Sequence, residues 1–187
     1  MACDLSKGRL ELCKDSIGGI KKVFFINQGD ATIVESADDI ITDIGTLSVY
    51  EYDTKDVSNM EETINSSRET GTTFWEQVLN LTIKKLNAVT RKELKLMAYG
   101  QPQIVVMDNN NNLLLLGKER GCDVTGGTVV TGTALGDLSG YTMVLTGREA
   151  EPANFLTPGV DPTAASYPFD GMTPGTVTVV AGTDPPA

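Results

Sequence analysis

"QIVVMDNNNNLLLLG", residues 103–117, places an apolar run, an Asp/Asn-rich turn and a second apolar run in one short stretch. Asp and Asn side chains hydrogen-bond their own backbone and tolerate tight turns. The stretch therefore predicts a β-hairpin, with Ile104–Met107 paired against Leu113–Leu116. Neither arm alternates apolar with polar residues, so both faces of the hairpin should be covered.

Upstream lies "TRKELKLMAYGQP", residues 90–102. Thr90 and Glu93 have the spacing of a capping box, Leu94 and Met97 form an apolar stripe, and Gly100 followed by Pro102 supplies a stop. This is the one helix the sequence predicts, and it is short. Before it, "TTFWEQVLNLTIKKL" offers a helix face through Phe74, Val78, Leu79 and Leu86. Trp75, Leu79, Leu81 and Ile83 alternate with Glu76, Asn80, Thr82 and Lys84, however, and the β-branched and aromatic content favours a strand with one wet face. "IKKVFFINQGDATIV", residues 20–34, reads as a hairpin closed by a type II′ turn at Gly29-Asp30. "TLSVYEYD", residues 46–53, reads as a strand, and the acidic stretch 51–62 as a solvated loop.

Downstream comes "GGTVVTGTALGDLSGY", residues 126–141, a mixture of glycine, threonine and small apolar residues that suits either a phosphate loop or bent, paired strands. A phosphate loop needs its glycines between a strand and a helix, and a P-loop adds Lys and Ser/Thr. Here no Gly-Lys-Ser/Thr exists, Gly132, Gly136 and Gly140 recur at four-residue steps, and "YTMVLTGRE" continues as an alternating strand. Glycines in such a setting mark bulges, bends or close backbone approach. Gly126 and Gly127 are expected to permit a turn after "CDVT", with "TVVT" a strand and "GTALGDLSG" a flexible bend or loop, in whose bend Gly136 would resist a β-branched residue were its φ positive. Gly126, Gly127, Val129, Val130, Gly132, Leu135 and Gly136 together are the candidate subunit interface, because a glycine-bearing loop between strands is a common place for neighbour contacts. Residues 151–187 hold seven of the eight prolines and read as an extended arm with one strand, Thr176–Ala181, beyond a β domain spanning residues 1–150.

The chain has 187 residues, 40% hydrophobic and 21% charged, which are globular values. Its net charge of −10 has the wrong sign for gripping a phosphate backbone. There is no histidine, so His-based catalysis, His metal ligands and every Ser-His-Asp triad are excluded. Cys3, Cys13 and Cys122 are expected to be free or buried thiols, with a Cys3–Cys13 clip open to them in an oxidising setting and no metal or cofactor site. No apolar run is long enough to span a membrane, and the N-terminal residues lack a signal-peptide pattern. Carboxylate neighbours Asp38-Asp39 and Glu61-Glu62 lie in a polar run without a base–nucleophile constellation, and no enzyme activity is expected.

The order of these elements, and above all "TRKELKLMAYGQPQIVVMDNNNNLLLLG" and "GCDVTGGTVVTGTALGDLSGYTMVLTGRE", resembles the tail tube proteins of tailed bacteriophages over roughly residues 20–150. The resemblance implies a mainly β fold: an antiparallel β-sandwich or barrel with one short flanking helix. It implies six copies in a ring, and rings stacked into a tube whose inner wall is a continuous β-barrel that conducts DNA during ejection. Its implied partners are further copies of itself and the tail sheath, tail terminator and baseplate proteins, in a virion assembled in the host cytoplasm, without specific DNA or membrane binding. An acidic lumen is common in that family. The Pro-rich segment after Pro152 departs from its simplest members. A head-decoration or head-to-tail joining protein of a phage is the rival reading.

Overall fold

The computed structural model describes residues 8–10, 14, 16–54 and 57–182. Cys3 and Cys13 lie outside the described residues, as do the expectations attached to them.

The described residues form two packed sheets and a single flanking helix, a mainly β sandwich as the sequence predicts. The chain enters through β1 (Ile20–Ile26), β2 (Val34–Glu35), β3 (Ile41–Asp43) and β4 (Leu47–Asp53). A long hairpin follows, β5 (Asn59–Ser67) and β6 (Thr72–Lys84), then α1 (Ala88–Tyr99). Next come β7 (Gln103–Asp108), β8 (Leu113–Leu116), β9 (Cys122–Val130) and β10 (Gly140–Glu149), with β11 (Asn154–Leu156) and β12 (Val177–Val180) last. The larger sheet has the order β12-β4-β1-β7-β8-β11-β3-β2, and the smaller the order β5-β6-β10-β9.

The β7–β8 hairpin forms in the predicted register, Ile104 opposite Leu116 and Met107 opposite Leu113. Both of its faces are covered. On one side Val23, Phe25, Ile104 and Val106 meet Leu79, Leu81, Met143 and Leu145 of the smaller sheet. On the other, Phe24, Ile26, Val105 and Met107 meet Leu156, Phe169, Met172 and Val177 from the C-terminal segment. Burial of each such side chain contributes about 1.5–3 kcal/mol.

That second layer corrects the reading of residues 151–187 as an extended arm beyond the β domain. β11 pairs antiparallel with β8, and β12 pairs parallel with β4 from Val177 opposite Leu47 to Val180 opposite Tyr50. Phe169 sits edge-on to Phe24, with ring centroids 5.0 Å apart and planes at 81°. The buried Asp43 carboxylate accepts hydrogen bonds from the backbone N–H groups of Gly45 (3.1 Å) and Gly175 (3.2 Å), which ties the segment down. The prolines punctuate a wrapped cover.

Three local readings are also corrected. Residues 20–34 are not a hairpin: β1 pairs with β4 and β7, and β2 with β3. The turn is present, with Asp30 N–H donating to Asn27 O, but Gly29 (φ +87°) occupies its third position. That is the type II arrangement, which splays the flanking strands where II′ would pair them. Within the supposed acidic loop 51–62, β4 runs to Asp53 and β5 starts at Asn59, because the alternating Met60, Glu62 and Ile64 have a strand face to fill. Finally, α1 begins before the supposed Thr90 cap; Asn87 is the N-cap, its side chain accepting from Val89 N–H at 3.1 Å.

Candidate assembly surface

The smaller sheet is antiparallel throughout, and only one of its faces is used by the core. Along β6, Trp75, Gln77, Leu79, Leu81 and Ile83 point inward, as the alternation predicts, with Gln77, Leu79 and Leu81 buried. Gln77 is kept there by two bonds: its Oε1 accepts from Gly117 N–H (2.9 Å) and its Nε2 donates to Glu62 (3.1 Å). A buried amide without such partners would be strongly destabilising.

The opposite face is open and rich in hydroxyls. Thr128 and Thr142 share a 2.6 Å hydrogen bond, and Thr125 and Thr146 one of 3.0 Å. Register places Thr82, Asn80, Val144 and Gly126 on the same face. Its charges are Glu61, Glu76 and Asp123 against Lys84 and Arg148, with Arg148 bonded to Glu76 at 2.8 Å. The chain's excess of acid therefore lies mostly elsewhere.

Both edges of this sheet, β5 and β9, carry no strand partner among the described residues. An unpaired edge presents a row of free backbone donors and acceptors, a template for another chain. β9 is continuous through Gly126 and Gly127, which corrects the turn expected there. The register slips between Val144 and Leu145, so Thr125 is the extra residue of a bulge. Close approach is real at Gly127, where a Cβ would stand 2.7 Å from Thr142 O.

Beneath the β9 edge lies an apolar groove of about 310 Å³. Tyr141 and Met143 form its floor, Leu94 and Ala98 of α1 one wall, and Val124, Gly127 and Val129 its rim, with Arg91 and Lys95 above. Tyr141 fixes the helix against the sheet, its hydroxyl donating to Asn87 O at 3.0 Å. At the far end of β9 the 117–121 turn is pinned by buried Glu149, which accepts from Glu119 N–H (3.0 Å) and Arg120 N–H (2.8 Å). Burial, reinforced by Glu149 and Asp123, pushes the Cys122 thiol up to about 12, which makes it a poor nucleophile.

The candidate interface residues divide between three places. Gly126, Gly127 and Val129 line the groove, with Val129 62% exposed. Val130 ends β9 on the open face. Gly132, Leu135 and Gly136 belong to the loop before β10, where Leu135 is fully exposed and Asp137 accepts from Thr133 and Ala134 N–H. Those bonds, Ala134's first, hold the Asp137 carboxyl below its ordinary range. Positive φ occurs at Gly132 (+75°) and not at Gly136, and nothing lies within 4 Å of a Cβ at Gly136. Sequence reasoning found the helix but not its place beside β9, and it missed β5. Their signals are the basic Arg91 and Lys95 beside an apolar stripe, and an alternating strand in a stretch taken for loop.

The carboxylate pairs do not form acid–base dyads. Glu61 and Glu62 are neighbours in a strand and project to opposite faces. Asp38 and Asp39 occupy the Ser36–Ile40 turn. Among the described residues no group of three or more His, Cys, Asp or Glu is placed to hold a metal, and no helix is long and apolar enough to cross a membrane.

No protein-family model matches the chain, and no curated protein matches it in sequence. Among solved structures it is similar to a chain from the virion of a native gene transfer agent particle, with a TM-score of 0.36 and 9% identity over 71% of this chain and 99% of that one. A likeness that slight carries no function across.

Proposed function

We propose that this chain is a structural virion protein of a tailed, phage-like particle. It closes into rings by pairing β9 of one copy with β5 of the next, and the rings stack into the tail tube through which DNA leaves. The observation that carries this reading is the small antiparallel sheet with two free edges and one open, hydroxyl-rich face. Its four strands alternate in direction, so β5 and β9 run opposite ways. Rotation about an axis roughly along the strands preserves direction, and the junction between copies is then antiparallel as well. Six copies, the number implied by the tail-tube resemblance, would give a barrel of about 24 strands. Barrels of 16–18 strands already leave an aqueous channel.

The open face becomes the channel wall in this arrangement. Hydroxyls and amides with little net charge give DNA nothing to grip, which is what passage without specific binding requires. Negative-stain imaging and sedimentation velocity of the purified protein test the reading. Rings with a central channel, stacking into tubes, are expected. Rings of one size that never stack favour the head-to-tail joining protein, and monomers at every concentration overturn self-assembly.

A further inference from the structure

We propose that the groove between α1 and β9 is the socket for a second copy of this chain, and that Met60, Glu62 and Ile64 of that copy's β5 seat along it. The proposal rests on the ring reading above and adds the residues and register of the contact. Residues opposite one another in a strand pair share a face. Met60 lies opposite Leu79, Glu62 opposite Gln77 and Ile64 opposite Trp75, so all three β5 side chains point to the packed side of the sheet. Ile64 nevertheless remains 56% exposed, an apolar side chain on the core side that its own chain leaves uncovered. At the other edge of the same sheet, and on the same side, the groove has a floor and a helix wall but is open beyond β9. Met60 packs in part against its own core, whereas Ile64 at this edge lacks a cover and the groove at the other edge lacks an occupant beyond β9.

The register follows from the topology. Within one copy Met60, Leu79, Leu145 and Val124 form a single row across the sheet. In a closed barrel such a row does not return to its starting height. A stagger of about one residue per strand accompanies a tilt of about 36°, hence about four residues per four-stranded copy. The direction of the slip is set by chirality. Thr82 N–H points toward Ser58 and Lys85 N–H toward Ser139, so with the packed side toward the viewer and β6 running upward, β10 lies to its right. Barrel strands lean to the right seen from outside, in keeping with their right-handed twist. The neighbour's β5 then arrives about four residues further along. Its Ile64 stands beside Val124, its Glu62 beside Gly127, where the missing side chain leaves room, and its Met60 beside Val129. Charge agrees on this face: Glu62, whose Oε1 already accepts from Gln77 and Ala153 N–H, is the one charged residue that β5 turns to the packed side, and Arg91 and Lys95 stand over the groove.

Cross-linking tests the register. In a Cys3→Ser, Cys13→Ser background, Met60→Cys combined with Val129→Cys should on oxidation give a ladder of covalent oligomers ending at the ring number. Either cysteine substitution alone should give none. Ile64→Lys, at an exposed position, should keep the parent's circular dichroism and melting profile while losing the ring species in sedimentation. Assembled rings that yield no ladder, or Ile64→Lys protein that still forms rings, overturn the socket and leave the ring reading standing. A parent that is monomeric throughout overturns both.

Discussion

Phe169→Ala is the most direct probe of the C-terminal cover. Phe169 is 2% exposed and stands edge-on to Phe24, and the cavity left by its removal would open against Ile26, Val105 and other side chains of a packed layer. Phe→Ala substitutions in such settings cost about 3–5 kcal/mol, and the lost ring pair belongs within that figure. Native domains have only about 5–15 kcal/mol of stability. With a urea dependence of about 2–3 kcal/mol per molar, the midpoint should fall by roughly 1–2.5 M. The assay is urea unfolding followed by tryptophan fluorescence and circular dichroism, at a concentration where parent and variant are both monomeric. Removing residues 152–187 also deletes Leu156, Met172, Val177 and two strands, and should leave no cooperatively folded protein. A Phe169→Ala loss under about 1 kcal/mol, or a truncated chain that melts cooperatively, would refute the cover and restore an independent arm.

Other outcomes follow from single groups. Gly132→Val forces a β-branched residue to φ +75° with its Cβ 2.8 Å from that of Asp137, and should distort the loop before β10; Gly136→Val meets open space and should change folding stability by under about 0.5 kcal/mol. Paired denaturation curves of the two variants check this. Cys122, ordinarily near 9.0 and raised to about 12, keeps its proton longer in the folded state. Its contribution is complete below pH 9 and is lost as pH rises through 12, at up to about 1.4 kcal/mol per pH unit. Stability of Cys122→Ala measured from pH 8 to 10 should therefore fall less steeply than the parent's, and equal slopes would refute the assignment. The native thiol should also resist a disulfide reagent at pH 8 and react once urea unfolds the chain. Gln77→Leu strands the Gly117 N–H in the interior and should cost about 1–3 kcal/mol in thermal or urea unfolding.

Periodicity carried the parts of this fold that local chemistry determines. Trp75, Leu79, Leu81 and Ile83 declared the inner face of β6 because the packing partner needed only to be apolar. Likewise Asp108 to Asn112 declared the β7–β8 turn, because the bonds that close it run from Asn110 and Asn112 to the Asp108 carboxylate within five residues. Partners of β1 could not be read the same way: "VFFI" is apolar on both faces and accepts any neighbour, and only the tertiary arrangement selects β4 and β7. Phe169 and Met172 were hidden among prolines, although a hairpin apolar on both faces was already calling for a second cover. Of the groove beside β9, Gly126, Gly127 and Val129 stood out in the sequence, because glycines within strand-like residues mark close backbone approach. The contributions of α1 and β5 did not, because a groove exists only after three distant segments have met.

The parallel pairing of β12 with β4 also sets the order of events in the cell. Hairpins such as β5–β6 and β7–β8 are local enough to form as they emerge, but β3 gains β11 only across 115 residues and β4 gains β12 only across 130. Closing so long a loop is slow, and long-range parallel pairing lies at the slow end of folding. The larger sheet is therefore incomplete until residue 180 has left the ribosome. Nascent chains clustered on one message would meet one another with that sheet still open, and the ring assembly proposed above would draw on copies whose β12 has already emerged.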